Sequence, residues 1–483
     1  MSHARWGLLA VVIGACDFGQ YCEGDWAAVP AEPEPSERQE KVVAQVLPVE
    51  STAVDILFVI DNSGSMLDEQ QQLGIWSSEM FDVLQTDGEL PDLHVGVTSS
   101  TINIPGVAGC EYGGGGMSMG SNLPPDQRFL IDVASPDGRF KNYEGTLFEA
   151  FASMARVGSG GCGFEQPFNA AKLALATPEF LRDDALLLLV FVTDEDDCSA
   201  ANPALFSEPY SDACSDLGTL TSYRCFEHGV KCRDGKGSRE FGARANCQPD
   251  ENSLYVEKVS TFAAYLHGLK KNPAQVIAAG IYGKPNGVFV VPDERISNYA
   301  QPRLASVCGD TNVDEGTGAT PAVRMNALMA KFGGRASQSS ICERELSWAM
   351  RDVGLVTRAA AKRSHCLYGA LVDNDAATAG VQPTCRVDAA RIGFDSRDTH
   401  AGVPPCDGTR STRCFTLDKA EDECAETHSK LAVQVRGLGL DETITVTCDV
   451  DTEAAPPPLP SDGLTHERQK LIDTEAAEYF ASP

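Results

Sequence analysis

The stretch VDILFVIDNSGSM, Val54 to Met66, decides the fold. Val54 to Ile60 is an almost unbroken aliphatic run, the pattern of a strand buried on both faces of a parallel sheet. The polar turn Asp61-Asn62-Ser63-Gly64-Ser65 ends it, and beyond the turn Leu73, Trp76, Met80, Phe81 and Leu84 recur at helical spacing. Strand, turn and helix therefore follow one another, and the alternation continues down the chain. Leu93 to Ser99, Phe129 to Val133, Leu186 to Thr193 and Val276 to Tyr282 read as strands. Glu144 to Arg156, Glu165 to Ala176, Leu254 to Leu269, Ala322 to Phe332 and Glu343 to Arg358 read as amphipathic helices. This order predicts an α/β fold with an open, mostly parallel sheet covered by helices.

In such sheets ligands bind beyond the carboxyl ends of the strands. Two of the buried strands end in acid there: the first delivers Asp61, Ser63 and Ser65, and the fourth delivers Asp194 in Thr193-Asp194-Glu195-Asp196-Asp197. A carboxylate with two hydroxyls at alternate positions presents hard oxygens to one point, which suits a divalent cation that keeps waters and an open position. The same residues also suit a plain helix N-cap, with Gly64 easing the turn.

Asp61-Asn62-Ser63-Gly64-Ser65 after an aliphatic strand resembles the metal-ion-dependent adhesion site, D-x-S-x-S, of von Willebrand factor A domains. The resemblance covers roughly Ser51 to Ala360, with insertions, and implies a Rossmann-like sheet. It implies that Ser63 and Ser65 ligate Mg²⁺ (or Ca²⁺ or Mn²⁺) directly. Asp61 and Asp194 would hold coordinating waters, and an acidic side chain of a partner protein or surface polymer would complete the ion. The family's remaining ligand is a threonine in a Gly-Gly-Thr-like loop, and the corresponding stretch here, Gly158 to Pro167, has none. Glu165, Ser159 and the more distant Thr146 are the candidates to replace it. If Glu165 coordinates, the site gains a negative charge and attracts an external carboxylate less.

Gly158, Gly160 and Gly163 also match G-x-G-x-x-G, but they follow a helix rather than a strand and enclose Cys162, which disfavours a dinucleotide site. Glu195, Asp196 and Asp197 read as a solvated acidic loop, or as a second calcium position. H-E-x-x-H, P-loop and G-x-S-x-G motifs are missing, so the chain is not expected to be an enzyme. A serine hydrolase built on Ser63 and Asp61 would need a histidine that the sequence does not nominate.

The 483 residues carry 69 acidic and 39 basic side chains, a net charge of −30, which argues against nucleic acid as a partner. Seventeen cysteines, spread singly, point to an oxidising compartment. At the start of the chain, a short apolar run from Trp6 to Ile13 reads as an export signal over residues 1–15. Ile13-Gly14-Ala15-Cys16 resembles the lipobox of bacterial lipoproteins, which implies a membrane anchor at Cys16 and an exported, envelope location. Residues 16–50 then read as an acidic, Pro-rich tether, 51–360 as the α/β domain with a Cys-rich insertion at 198–250, 364–450 as a small β-rich disulfide domain, and 451–483 as a linker and tail. Cys110 is expected to pair with Cys162 and Cys308 with Cys342. Three bridges are expected in the insertion with Cys22 as the sixth member, Cys22 being otherwise a free thiol, and three in the C-terminal domain. The combination resembles the cysteine-rich surface lipoproteins of myxobacteria. The expected function is cation-dependent protein or surface adhesion; the rival is a structural envelope module with a degenerate metal site.

Overall fold

The computed structural model describes residues 39–46, 53–85, 90–111, 116–207, 215–270, 273–293, 301–308, 318–332, 335–343, 345–362, 366–367, 370–375, 377–378, 380–391, 401–406, 413–420, 424, 429–436 and 442–450. The proposed signal, Cys16, Cys22, Cys214 and the tail 451–483 lie outside the described residues.

The aliphatic run Val54 to Ile60 lies in strand Ala53–Ile60, near the middle of a seven-stranded sheet. Across the sheet the order is Ala336–Ser340, Val276–Tyr282, Leu186–Val192, Ala53–Ile60, Asp92–Ser99, Leu130–Ser135 and Gly138–Lys141. The first five run parallel and the last two antiparallel. The fold class expected from the sequence is the one observed.

Side chains alternate across the central strand, and each face has its own helices. Val54, Ile56, Phe58 and Ile60 pack with Leu73, Met80 and Phe81 of helix Leu67–Leu84, with Phe151 of Leu147–Ala155 and with Met350 of Ser347–Lys362. Leu57 and Val59 face Phe168 of Pro167–Leu175, Phe262 of Val259–Gly268 and Met325 of Val323–Phe332. Two apolar layers on one strand explain why its sequence shows no polar alternation. Asp55 is the exception, and it is fully buried. Arg182 Nε at 2.7 Å and Lys270 Nζ at 3.4 Å neutralise it, as a buried carboxylate requires.

Helices Leu67–Leu84 and Ser347–Lys362 approach closely at Gly354. A Cβ there would lie 2.9 Å from both the Met80 carbonyl oxygen and Val83 Cβ. We expect Gly354→Ala to destabilise the protein by about 1–3 kcal/mol in chemical denaturation, because backbone must move to admit the methyl.

The first departure from the sequence reading concerns the tether. Gln39–Val46, inside the expected 16–50 linker, is a strand paired antiparallel with Glu442–Val450. Its β-branched Val42, Val43 and Val46 suit that role; the Pro- and Glu-rich composition just before them hid it. Glu442–Val450 pairs on its other side with Cys385–Arg391, which pairs with Ala401–Val403. The hairpin Cys414–Lys419 and Leu431–Arg436 contributes Phe415 and Val433 to a small core with Val387, Ile444 and Val446. Such a core needs staples, and Cys366–Cys424, Cys385–Cys448 and Cys406–Cys414 supply them.

Cys110–Cys162 and Cys308–Cys342 pair as expected. The insertion after Leu186–Val192 contains Cys198–Cys225 and Cys232–Cys247. The third bridge expected there, involving Cys22, falls outside the described residues. Seven disulfides among the described residues place this chain in an oxidising, extracytoplasmic or envelope compartment. Among the described residues no helix is long and apolar enough to cross a membrane.

Candidate metal centre

Parallel register sets the site. Ile60 lies level with Ser99 on one neighbouring strand and with Val192 on the other, so Asp61, Ser100 and Thr193 leave the same edge side by side. The Asp61 backbone amide donates to the Val192 carbonyl at 2.8 Å. Asp61 is fully buried; its Oδ1 accepts from the Ser63 amide at 2.8 Å and its Oδ2 from Thr193 Oγ1 at 2.8 Å. Ser63 and Ser65 face each other with hydroxyl oxygens 3.1 Å apart. Ser63 is the N-cap of the short turn Gly64–Met66 and makes no side-chain cap bond, and neither does Met66 ahead of Leu67–Leu84. Plain helix capping therefore does not account for the two hydroxyls.

The loop expected to carry the missing threonine is locked against this turn. Gly161 N donates to the Asn62 carbonyl at 2.7 Å, and a Cβ on Gly161 would lie 2.5 Å from that oxygen. Gln70 Nε2 ties the Asp61 carbonyl (3.0 Å) to that of Gly158 (2.8 Å). Thr101 Oγ1 donates to Asn62 Oδ1 at 2.7 Å and accepts from Cys162 N at 3.0 Å. The Cys110–Cys162 bridge fixes the same loop covalently.

The three candidates for the replacement ligand separate. Thr146 caps helix Leu147–Ala155 in a reciprocal box with Glu149, so its hydroxyl is already engaged. Ser159 is exposed, with its backbone carbonyl against Gly64. Glu165 is 1% exposed, interacts electrostatically with Asp61 and Glu195, and has no hydrogen-bond donor on either carboxylate oxygen. Asp194 is 6% exposed, contacts the Ser65 hydroxyl and lies beside Asp61, and its Oδ1 also lacks a donor.

Burial and mutual repulsion raise these acids. Burial is the largest cause for all three: it lifts Asp61 above its ordinary range, and lifts Glu165 and Asp194 well above theirs with added repulsion from Asp61 and Glu195. Glu69, on the first turn of Leu67–Leu84, is pushed up to about 7, by burial first and by Asp68 and Asp61 next. Among the described residues no three His, Cys, Asp or Glu side chains gather as a ready-made cage. The set is instead two hydroxyls with carboxylates around them, the hard-oxygen chemistry of Mg²⁺ or Ca²⁺. The donor-free oxygens of Glu165 and Asp194 fit such an ion.

Asp196 and Asp197 do not form the solvated loop expected of them. Asp196 accepts from the Arg324 and Met325 amides, at 2.9 and 3.1 Å, at the start of helix Val323–Phe332. Burial raises its carboxyl to about 6 against the favourable field of Arg324. Asp197 is fully buried and paired with Arg324 Nη2 at 2.8 Å. Sequence reading missed Arg324, Thr193, Thr101, Gln70 and Glu69 as parts of the site. Only Glu69 gave a signal, shortly after Ser65 on the first turn of the helix that follows.

The sheet and its acidic, hydroxyl-bearing edge define a Rossmann-like α/β protein with a candidate cation centre. No family model and no curated protein sequence matches the chain. Similar solved structures include the open form of the pilus adhesin SpaC from Lactobacillus rhamnosus GG, at 11% identity and TM-score 0.32, over 87% of this chain and 41% of that one. A von Willebrand factor type A protein from Catenulispora acidiphila shows 9% identity and TM-score 0.28, over 88% of this chain and 66% of that one. Proximal thread matrix protein 1 of the mussel byssus shows 9% identity and TM-score 0.25, over 67% and 48%. The chain thus spans less than two thirds of each of these structures.

Proposed function

We propose that this chain is an envelope lipoprotein, anchored through Cys16, with an adhesion domain of the von Willebrand factor A type. In this reading Asp61, Ser63, Ser65, Asp194 and Glu165 hold one divalent cation, Mg²⁺, Ca²⁺ or Mn²⁺, and the protein recognises a protein or surface polymer through it. One observation carries the reading: three buried carboxylate oxygens of Glu165 and Asp194 have no hydrogen-bond donor, beside the fully buried Asp61 and the Ser63–Ser65 hydroxyl pair. Leaving such groups unpaired is costly, and a cation removes the cost. When bound, the ion supplies fixed positive charge and an exchangeable coordination position. Thr193 and the Ser63 amide orient Asp61, while Gln70 and the Cys110–Cys162 bridge keep the glycine loop beside it.

The test is adhesion of the purified full chain to the surface of the cells that make it. Binding should be present in millimolar Ca²⁺ or Mg²⁺, be lost in EDTA and be absent in Asp61→Ala. Binding that persists in EDTA would leave the centre a structural one. Membrane fractionation of Cys16→Ser tests the anchor: the variant should be released in soluble form.

A further inference from the structure

Glu165 marks the point where this centre departs from a simple hydroxyl-and-aspartate site. Its side chain is 1% exposed, no amide, hydroxyl or basic group donates to either oxygen, its carboxyl meets that of Glu195, and the charge of Asp61 acts on it. The groups acting most strongly on Asp61, Glu165 and Asp194 are other acids and Ser or Thr hydroxyls, with no Lys, Arg or His among them. The charges of Asp61, Glu165 and Asp194 together would exceed that of one doubly charged ion, and Glu195 and Glu69 add to the same field. A carboxylate from outside would enter a negative field, on a chain whose net charge is −30.

The rim points the same way. Gly64, Gly158, Ser159 and Gly160 are exposed, Ser63 and Ser65 half-buried, and Cβ atoms on Gly158 or Gly160 would meet open space. Protein interfaces draw their energy from buried aromatic and arginine anchors. Among the described residues, the exposed large apolar side chain on the Asp61–Leu67 turn is Leu67 alone. A small, polar, glycine-built mouth accommodates a ligand that brings its own oxygens and asks for little apolar burial. Adjacent hydroxyls of a sugar ring do this, offering a hard cation two neutral oxygens.

We infer that Glu165 completes the carboxylate set from inside the protein, so that the cation takes its exchangeable ligands from the hydroxyls of a neutral polysaccharide and not from a carboxylate. This rests on the cation reading above and refines its ligand class. Glu165 acts as a resident anion: it strengthens the hold on the cation and excludes acidic partners.

The experiment pairs calorimetric titration of the full chain with Ca²⁺ alone and retention on immobilised dextran, mannan, galactan and polyglutamate, each in Ca²⁺ and in EDTA. The wild type should bind one Ca²⁺, be retained by at least one neutral matrix in Ca²⁺ only, and pass through polyglutamate. Glu165→Thr should weaken Ca²⁺ roughly tenfold or more. At saturating Ca²⁺ it should lose the neutral matrix and gain polyglutamate. Near-UV circular dichroism checks folding, and the near-isosteric Glu165→Gln serves if the threonine variant is misfolded. Calcium-dependent retention of the wild type by polyglutamate, no retention by any neutral matrix, or unchanged Ca²⁺ affinity in the variants would overturn the inference while leaving the cation reading intact. Absence of Ca²⁺ binding in the wild type would remove the cation reading itself.

Discussion

At pH 7.5 the chelated protein should melt several degrees below the calcium-loaded protein, and the gap should close as the pH falls towards 5. The carboxyls of Asp61, Glu165 and Asp194 are raised in the folded state by burial, and Glu69 is raised from 4.5 to about 7. An acid whose folded pKa lies above its unfolded value binds more protons when folded, so its contribution to stability is complete below the unfolded pKa and is lost as pH rises through the folded one. For Glu69 that window runs from about 4.5 to about 7. For Glu165 and Asp194 the loss likewise proceeds upward from the ordinary carboxylate range. A cation replaces the protons, so its stabilisation grows over the same interval. At a hundredfold excess over Kd it amounts to about 2.7 kcal/mol, a shift of a few degrees for a domain of this size. Asp194→Asn, which keeps the shape and removes one crowded charge, should melt no lower than the chelated wild type at pH 7.5 and should not respond to Ca²⁺. Calorimetric melting at both pH values checks this. A calcium shift as large at pH 5 as at pH 7.5, or a chelated protein that gains stability with rising pH, would refute the arrangement.

The parts of this centre that were legible in the sequence are those contributed by one local segment. Asp61, Ser63 and Ser65 lie within five residues, directly after a strand whose two-sided burial announces itself in seven consecutive residues. Asp194 was legible for the same reason, at the end of Leu186–Val192. Thr193 and Thr101 were not, because their role depends on which strands are neighbours. Register, not local pattern, brings Thr193 Oγ1 to Asp61 and Thr101 Oγ1 to Asn62. The acidic run at 195–197 misled for a related reason: charge density suggests solvent, yet Asp196 and Asp197 have long-range partners on a helix more than a hundred residues later. Strand Gln39–Val46 was missed because its partner, Glu442–Val450, lies at the other end of the chain.

Those long-range partners define the second large effect. Arg324→Met should cost about 3–5 kcal/mol of stability, the range for breaking a buried ion pair, and should weaken cation binding as well. Arg324 is fully buried. Its guanidinium meets Asp197 Oδ2 at 2.8 Å through Nη2 and the Asp197 carbonyl at 3.0 Å through Nε. It also donates to the carbonyls of Gly229 in the insertion (3.4 Å) and of Glu257 just ahead of helix Val259–Gly268 (2.5 Å), and its Cζ lies 5.7 Å from the Phe168 ring centroid. One side chain thus joins the turn after Asp194, the insertion at Gly229, the approach to helix Val259–Gly268 at Glu257 and the helix that follows Glu165. Methionine fills much of the volume but leaves the Asp197 charge with only the Ser199 hydroxyl and the Phe168 amide as donors. Adding Asp197→Asn to Arg324→Met should recover part of the loss, because the stranded charge disappears. The effect on cation binding follows from position: Asp194 and Asp197 share one short turn, and releasing one end loosens the other. Gly354→Ala, which perturbs the far helix pair, serves as the control that lowers stability without touching this turn. Urea denaturation and Ca²⁺ titration of the three variants separate the outcomes. A stability loss below about 1 kcal/mol for Arg324→Met, or a loss with Ca²⁺ affinity unchanged, would show that the turn bearing Asp194 holds its shape without the guanidinium.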